Sequence, residues 1–269
     1  LLGGAVWVID VADLRDKWAS RDDTHVLGVF VKKILRSAKR RFLELVNAKS
    51  ITVEGLKIVI EKGVIPENVR QELLRDKYED TERNLLLTFL KPGMRVLEIG
   101  TGIGFISLLA ARIVGDQNVF CYEANASLEA IIRKNHVLNA LTPSLTMRAV
   151  TTDGQDVVFY QSDNVISSSV YDRQRNDRKT VVKSVAFHAI LEEIDPDVLI
   201  MDVEGAEIDL LALPSLNNIR HIIVELHPHI VGQEQIDALL VHLKQNCNYS
   251  VVARDRKTVY LQSIVVRDA

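Results

Sequence analysis

Three stretches of the chain carry residue types that could do chemistry. The first is Glu98-Ile99-Gly100-Thr101-Gly102-Ile103-Gly104-Phe105, an acid closing an apolar run, three glycines at alternate positions, then apolar residues at helical spacing. A strand, a tight glycine turn and a helix N-terminus form a nucleotide cradle, because glycine lets the backbone approach a ligand and adopt conformations other residues resist. The second is Asp202-Val203-Glu204-Gly205-Ala206-Glu207, which follows the apolar run 198–201. Its three carboxylates fall at a strand's carboxyl end, where open parallel sheets bind ligands. Helix capping by Asp202, with Glu204 and Glu207 in the first turn of a helix over 206–212, accounts for one such acid more readily than for three. The third is Glu225-Leu226-His227-Pro228-His229, at the end of another apolar run. Two histidines beside carboxylates invite a metal reading, but no tight template such as a helical H-E-x-x-H is present, and no metal ligand is assigned. Glu225 and His227 are candidate proton acceptors instead.

The elements that position these residues follow from hydrophobic patterning. Strands are expected at 96–99, at 119–122 ending in Glu123, near 145–150, at 197–201 and at 222–226, with helices over 106–114, 127–139, 187–194 and 233–245 between and after them. Such alternation implies a parallel sheet with right-handed crossovers. The runs 249–253 and 258–266 then read as an antiparallel hairpin at the sheet edge. Glu123 lies 19 positions after Gly104, the separation of an acid that bonds ribose hydroxyls one strand over. Upstream, 51–60 alternates as a hairpin about Glu54-Gly55, and Tyr78-Glu79 precedes the helix Asn84 to Leu90, placed to close over a cofactor.

The remaining segments carry less. Residues 5–11 suggest a strand and 12–20 a short helix. Residues 31–46 form a basic amphipathic helix, with Lys32, Lys33, Arg36, Lys39, Arg40 and Arg41 between apolar positions. A solvated basic face explains it as well as a surface for phosphate or nucleic acid does, and the former is the commoner use of such helices. The polar stretch 161–180 is a loop, either a lid or an excursion.

At 269 residues, the chain can bury one large α/β domain plus an extension. With 33 basic and 36 acidic residues, a net charge of −3 points to no global attraction for nucleic acid or membrane. Cys121 falls in an expected buried strand and Cys247 stands apart, which favours reduced thiols and a cytoplasmic setting. No apolar run of about 18 residues suggests a membrane span. The apolar beginning Leu1 to Ile9 lacks a basic leader and reads poorly as a signal peptide.

Taken together, Tyr78-Glu79 with Glu82, Glu98 to Gly104, Tyr122-Glu123-Ala124-Asn125, Asn135 with Asn139, Ala149-Val150, the D-V-E-G-A-E stretch 202–207 and Glu225-Leu226-His227 resemble the FkbM family of class I S-adenosylmethionine-dependent methyltransferases. The resemblance spans roughly residues 50 to 230. Two departures stand out: the family's D-V-G-A-N-x-G turn is here E-I-G-T-G-I-G, and its E-P-N-P element is Glu123-Ala124-Asn125-Ala126, without either proline.

The resemblance implies a Rossmann-like fold: a mostly parallel seven-stranded sheet with an antiparallel C-terminal hairpin and helices on both faces. It implies a methyltransferase domain over 51–269, after an extension over 1–50. S-adenosyl-L-methionine is the implied cofactor, its methionine portion held by Gly100, Thr101, Gly102, Gly104 and Phe105, with Glu98 facing the ammonium. Glu123, Ala124 and Asn125 would hold the ribose, the region around Val150 would flank adenine, and Tyr78 and Glu79 would close the site. Asp202 would orient cofactor or acceptor, with Glu204, Glu225 and His227 as candidate bases; the unperturbed pKa of imidazole, about 6.5, favours His227. The expected reaction is O-methylation of a small molecule or sugar. RNA methylation guided by the basic helix, and a non-catalytic cofactor-binding module, are the alternatives. Oligomeric state is left open.

Overall fold

The computed structural model describes residues 37–38, 40–161, 178–216 and 218–265. The expected strand at 5–11, the helix at 12–20, most of the basic helix and nearly all of the 161–180 loop lie outside them. Contacts within the chain separate Leu1–Ala48 from Lys49–Ala269. In the first unit residues 37–38 and 40–45 are helical; all that follows concerns the second.

In chain order that unit begins with the antiparallel hairpin β1 (Ser50–Val53) and β2 (Leu56–Val59), and then α1 (Glu67–Leu74) and α2 (Asp80–Phe89). Glu54 and Gly55 both take positive φ, 48° and 75°, the twist that a two-residue turn between antiparallel strands requires. The core alternates β3 (Val96–Ile99), α3 (Phe105–Val114), β4 (Val119–Tyr122), α4 (Glu129–Asn139) and β5 (Ser144–Thr146). Three short strands follow, β6 (Ala149–Thr151), β7 (Val157–Gln161) and β8 (Arg178–Val182), then β9 (Ser184–Ala186), α5 (Phe187–Ile194), β10 (Val198–Met201) and α6 (Glu207–Leu211). The chain closes with β11 (His221–Glu225), α7 (Pro228–Val231), α8 (Gln233–Gln245), β12 (Tyr249–Asp255) and β13 (Thr258–Ser263).

The seven-stranded sheet runs β12-β13-β11-β10-β3-β4-β5. Its four central pairings from β11 to β5 are parallel, while β13 pairs antiparallel with both β11 and β12. Every residue of β3 and β10 is buried. Strands buried along their whole length, apolar but for Glu98, are the mark of a parallel sheet covered on both faces, where no side chain finds water by alternation. Phe187, Ile190, Leu191 and Ile194 of α5 pack with Leu210, Leu211 and Leu243 into the core beside Leu97, Leu199 and Ile222.

The order matters for function. From β3 the chain winds outward through β4 and β5, and then returns to place β10 and β11 on β3's other side. The carboxyl ends of β3 and β10 therefore flank a topological switch point, where crossover loops diverge and leave a crevice.

One expected element is two. The run 145–150, read as a single strand, is broken after β5 by a tight turn in which the Arg148 N–H donates to the Thr146 carbonyl (3.0 Å). β6 leaves the main sheet there and pairs in parallel with β9. The turn carries Arg148, Ala149 and Val150 over the carboxyl end of the sheet.

Candidate active site

The glycine turn is built so that only glycine serves at its first position. Gly100 has φ +87°, and a Cβ there would be driven into the carbonyl oxygen of Asp202, because the β3 and β10 loops cross at that point. The Asp202 N–H donates to the Ile99 carbonyl (3.0 Å) across the same crossing. Gly102, also left-handed, lies beneath the Tyr78 hydroxyl and the Glu79 carboxylate, which would lie 3.1 and 3.7 Å from an added Cβ. Gly104 is the N-cap of α3.

Glu123 secures the turn from the β4 side. Its two oxygens accept from the N–H groups of Gly102 (3.0 Å) and Asn125 (2.8 Å). Asn125 in turn accepts from the Ser127 N–H and hydroxyl (3.1 and 2.7 Å). From behind, Asn135 of α4 donates to the Ile103 carbonyl (2.9 Å) and accepts from the Val59 N–H (2.9 Å), fixing turn and β2 to one helix.

These elements line a cavity that opens to solvent. Of the residues expected to bind cofactor, Glu79, Gly100, Gly102, Glu123, Ala124, Asn125, Val150 and Asp202 line it. Thr101, Gly104 and Phe105 do not; they shape it from below. The Thr101 hydroxyl turns toward the Tyr122 carbonyl (3.4 Å), and Phe105 is fully buried with its ring 6.3 Å from that of Tyr78. Tyr78 itself is buried above Gly102 and outside the wall.

Glu98, expected to face a ligand's ammonium, is buried under the turn and is not part of the lining. β3 is covered on both faces, so an acid in it must point into protein. Burial lifts its pKa to about 8, against the opposing influence of the nearby Ser107, Thr101 and Cys121 side chains. Glu79 does reach the cavity. Burial, then the carboxylates of Glu98 and Glu82, push its pKa up, and its buried Oε2 finds no hydrogen-bond partner among the described residues.

The three acids of 202–207 do not serve as caps. The N-cap of α6 is Ala206, and the helix spans five residues. Glu204 (φ +51°) and Gly205 (φ +114°) form a left-handed turn. This turn leaves Asp202 and Glu204 in the cavity wall and sends Glu207 inward. Glu207 is wholly buried and accepts from the Gly205 N–H (2.7 Å) and the His227 N–H (2.9 Å), with His227 Nδ1 3.1 Å from the same oxygen. The other ring nitrogen, Nε2, faces Glu204 (3.4 Å), Glu225 (3.5 Å) and Asp202 (3.6 Å).

The four candidate catalytic residues thus converge at the ends of β10 and β11. The expectation that His227 titrates as a base near neutrality is corrected by this surrounding. Burial alone would lower its pKa, but the carboxylates of Glu207, Glu225, Asp202 and Glu204 raise it to about 10. Sequence reasoning also missed two participants. Glu207 does open α6 as expected, but its bond to His227 was not legible, and Arg148, in the cavity wall, was hidden inside the supposed single strand.

Chemically, a wall holding Glu79, Glu123, Asp202 and Glu204 against the single Arg148 suits a cationic ligand and would repel a dinucleotide's pyrophosphate. Two of those acids present buried oxygens without a hydrogen-bond partner among the described residues, Glu79 Oε2 and Asp202 Oδ1. A nucleoside bearing an ammonium and a sulfonium, as S-adenosylmethionine does, fits that acid-lined surface.

The FkbM methyltransferase domain model matches residues 98–251, more than half of the chain. No curated protein matches it. Among solved structures the chain is similar to a ribosomal protein L11 methylase from Lactobacillus delbrueckii subsp. bulgaricus, at 14% identity and TM-score 0.40 over 69% of this chain and 79% of that one. A precorrin-6y C5,15-methyltransferase from Geobacter metallireducens gives 17% identity and TM-score 0.39, over 66% and 84%. The tRNA (uracil-54, C5)-methyltransferase of Pyrococcus abyssi, in complex with S-adenosyl-L-homocysteine, gives 14% and 0.43, over 80% and 43%.

Proposed function

The chain belongs to the FkbM family of S-adenosylmethionine-dependent methyltransferases, and from that premise we infer that it methylates a hydroxyl oxygen of a small molecule or sugar. The observation that carries the reading is the group of acids at the ends of β10 and β11, opening into the cofactor cavity through Asp202 and Glu204. An oxygen acceptor must lose a proton as it is methylated, and a group of carboxylates beside the cavity supplies acceptors for it.

When bound, S-adenosylmethionine supplies an electrophilic methyl group. The chain's own part is alignment, exclusion of water and proton removal. The turn Gly100 to Gly104 allows close backbone approach. Glu123, already fixed by two turn amides, would take the ribose hydroxyls. Glu79, rather than the Glu98 beneath it, offers an oxygen to the ammonium. Val150 and Arg148, brought over by the β5–β6 turn, would flank the base. Asp202 stands between this set and the β11 acids, placed to orient the acceptor and receive its proton, with Glu204 beside it. A setting in the cytoplasm is consistent with this reading, and among the described residues no helix is long and apolar enough to cross a membrane.

The test is transfer of labelled methyl from S-adenosylmethionine to a panel of hydroxyl-bearing small molecules and sugars, beside total RNA. Label appearing in alkali-stable ethers, and lost in Asp202→Asn, is the expected result. Label confined to RNA, or transfer indifferent to that substitution, would sink the oxygen-acceptor reading.

A further inference from the structure

Around His227 the geometry is not that of a finished hydrogen-bond network. Its side chain is 2% exposed. Nδ1 is committed to Glu207, itself anchored by two backbone N–H groups. The other nitrogen, Nε2, faces three further carboxylates. Four acids about one ring call for a cation among them, either the imidazole's own second proton or a metal ion that takes its place.

The separations are those of ligands rather than of hydrogen-bonded partners. Nε2 stands 3.4–3.6 Å from oxygens of Glu204, Glu225 and Asp202, whereas a charge-assisted N–H···O bond closes to roughly 2.7–2.9 Å. Donors about 2.1 Å from a shared centre at tetrahedral angles lie about 3.4 Å apart. Donor atoms of Asp202, Glu225 and His227 all fall within 4.8 Å of one another. Independently, on an Asp202 side chain that is 43% exposed overall, the Oδ1 atom alone is covered and accepts no hydrogen bond from the described residues. It faces His227 at 3.6 Å across the gap. A buried acceptor left unmade is costly, and a bound cation is what satisfies it.

We propose that Asp202, Glu225 and His227 form a divalent metal site, with Glu207 as the outer carboxylate that sets the imidazole's tautomer and direction. A His held by a buried carboxylate on one nitrogen and open on the other is the arrangement metal-ligating histidines adopt. Mixed imidazole and carboxylate donors suit Mn²⁺ or Zn²⁺ better than Mg²⁺. Asp202 and Glu204 line the cavity, so the ion's remaining positions open toward the place where an acceptor oxygen would sit. That consequence rests on the methyltransferase reading; metal binding itself does not.

The full chain, stripped with chelator and titrated with Mn²⁺ alone, tests this by electron paramagnetic resonance. One Mn²⁺ per chain is expected, bound at least tenfold more weakly by Asp202→Asn and by Glu225→Gln and unchanged in Glu234→Gln, with Zn²⁺ displacing it. Pulsed spectra should show nitrogen modulation from His227 that Glu207→Gln weakens, a signature that a merely structural Glu207 would not move. Asp202 and Glu225 are both partly exposed, 43% and 28%, so neither substitution empties the core, and thermal melts identify any variant that unfolds. Absence of Mn²⁺ and Zn²⁺ binding in the wild type, or binding undiminished in both acid variants, overturns the proposal. Titrating S-adenosylhomocysteine into the same samples separates the two readings, since cofactor binding without metal binding defeats only this one.

Discussion

Glu98 shows how one residue can be correctly singled out and wrongly placed. Its position after Val96-Leu97 and before the glycines marks it, but the full burial of β3 turns it into protein, with a pKa of about 8. Because the folded value lies above the ordinary 4.5, folding favours the protonated form. Stability is therefore highest below about pH 4.5, declines as pH rises toward 8 and stays reduced above it. Glu98→Gln keeps the shape without the charge. It is expected to raise the unfolding midpoint by several degrees at about pH 9 and to change it little at about pH 5. A melting series in which the variant tracks the wild type at both ends would refute a buried, titrating Glu98. Residue types in the glycine turn and the D-V-E-G-A-E stretch were readable because few roles need them at that spacing. Their partners were not. Glu207 does start α6, and only the left-handed Glu204-Gly205 turn shows that its side chain also runs inward to His227, a contact across 20 residues.

At the scale of elements, periodicity located the parallel strands and the terminal hairpin, because burial on both faces and alternation leave strong signals. It did not locate the break between β5 and β6. Both pieces have strand-like residues, and the turn at Arg148 is made by backbone geometry rather than by glycine or proline. The same limit applies to the sutures between elements. Asn139 accepts from the Lys57 N–H and donates to the Lys57 and Asn135 carbonyls, each at 2.8 Å, so one side chain imitates a neighbouring strand along β2. Asn139→Ala should cost ~1 kcal/mol and speed hydrogen exchange at Lys57 well above the change at amides of β3. Equal protection of Lys57 in variant and wild type would show that the hairpin is held by other contacts. On the far side, α2 is tied to the β12–β13 turn by Thr81 to Asp255 (3.0 Å) and Glu82 to Thr258 (2.5 Å). That tie holds Glu79, the left-handed residue at the helix start, over the cavity.

At the scale of the molecule, the account depends on one arrangement: strand order that reverses at β3, leaving an anionic cavity between the β3 turn and the β10 acids. Fold class was legible from the alternation of elements, and the cofactor from the order of motifs. What the acceptor is was not legible, since no spaced motif in the chain encodes it. The most direct measurement is calorimetric titration of S-adenosylhomocysteine into the wild-type chain and Glu79→Gln. Glu79 presents an unpartnered buried oxygen to the cavity and is crowded by Glu98 and Glu82, so its neutral isostere should be no less stable. The account predicts one bound equivalent per chain for the wild type. For Glu79→Gln it predicts about tenfold weaker binding, a loss of ~1.4 kcal/mol, with an unfolding midpoint at or above that of the wild type. A wild-type chain that is folded and gives no binding heat or saturable signal would contradict it.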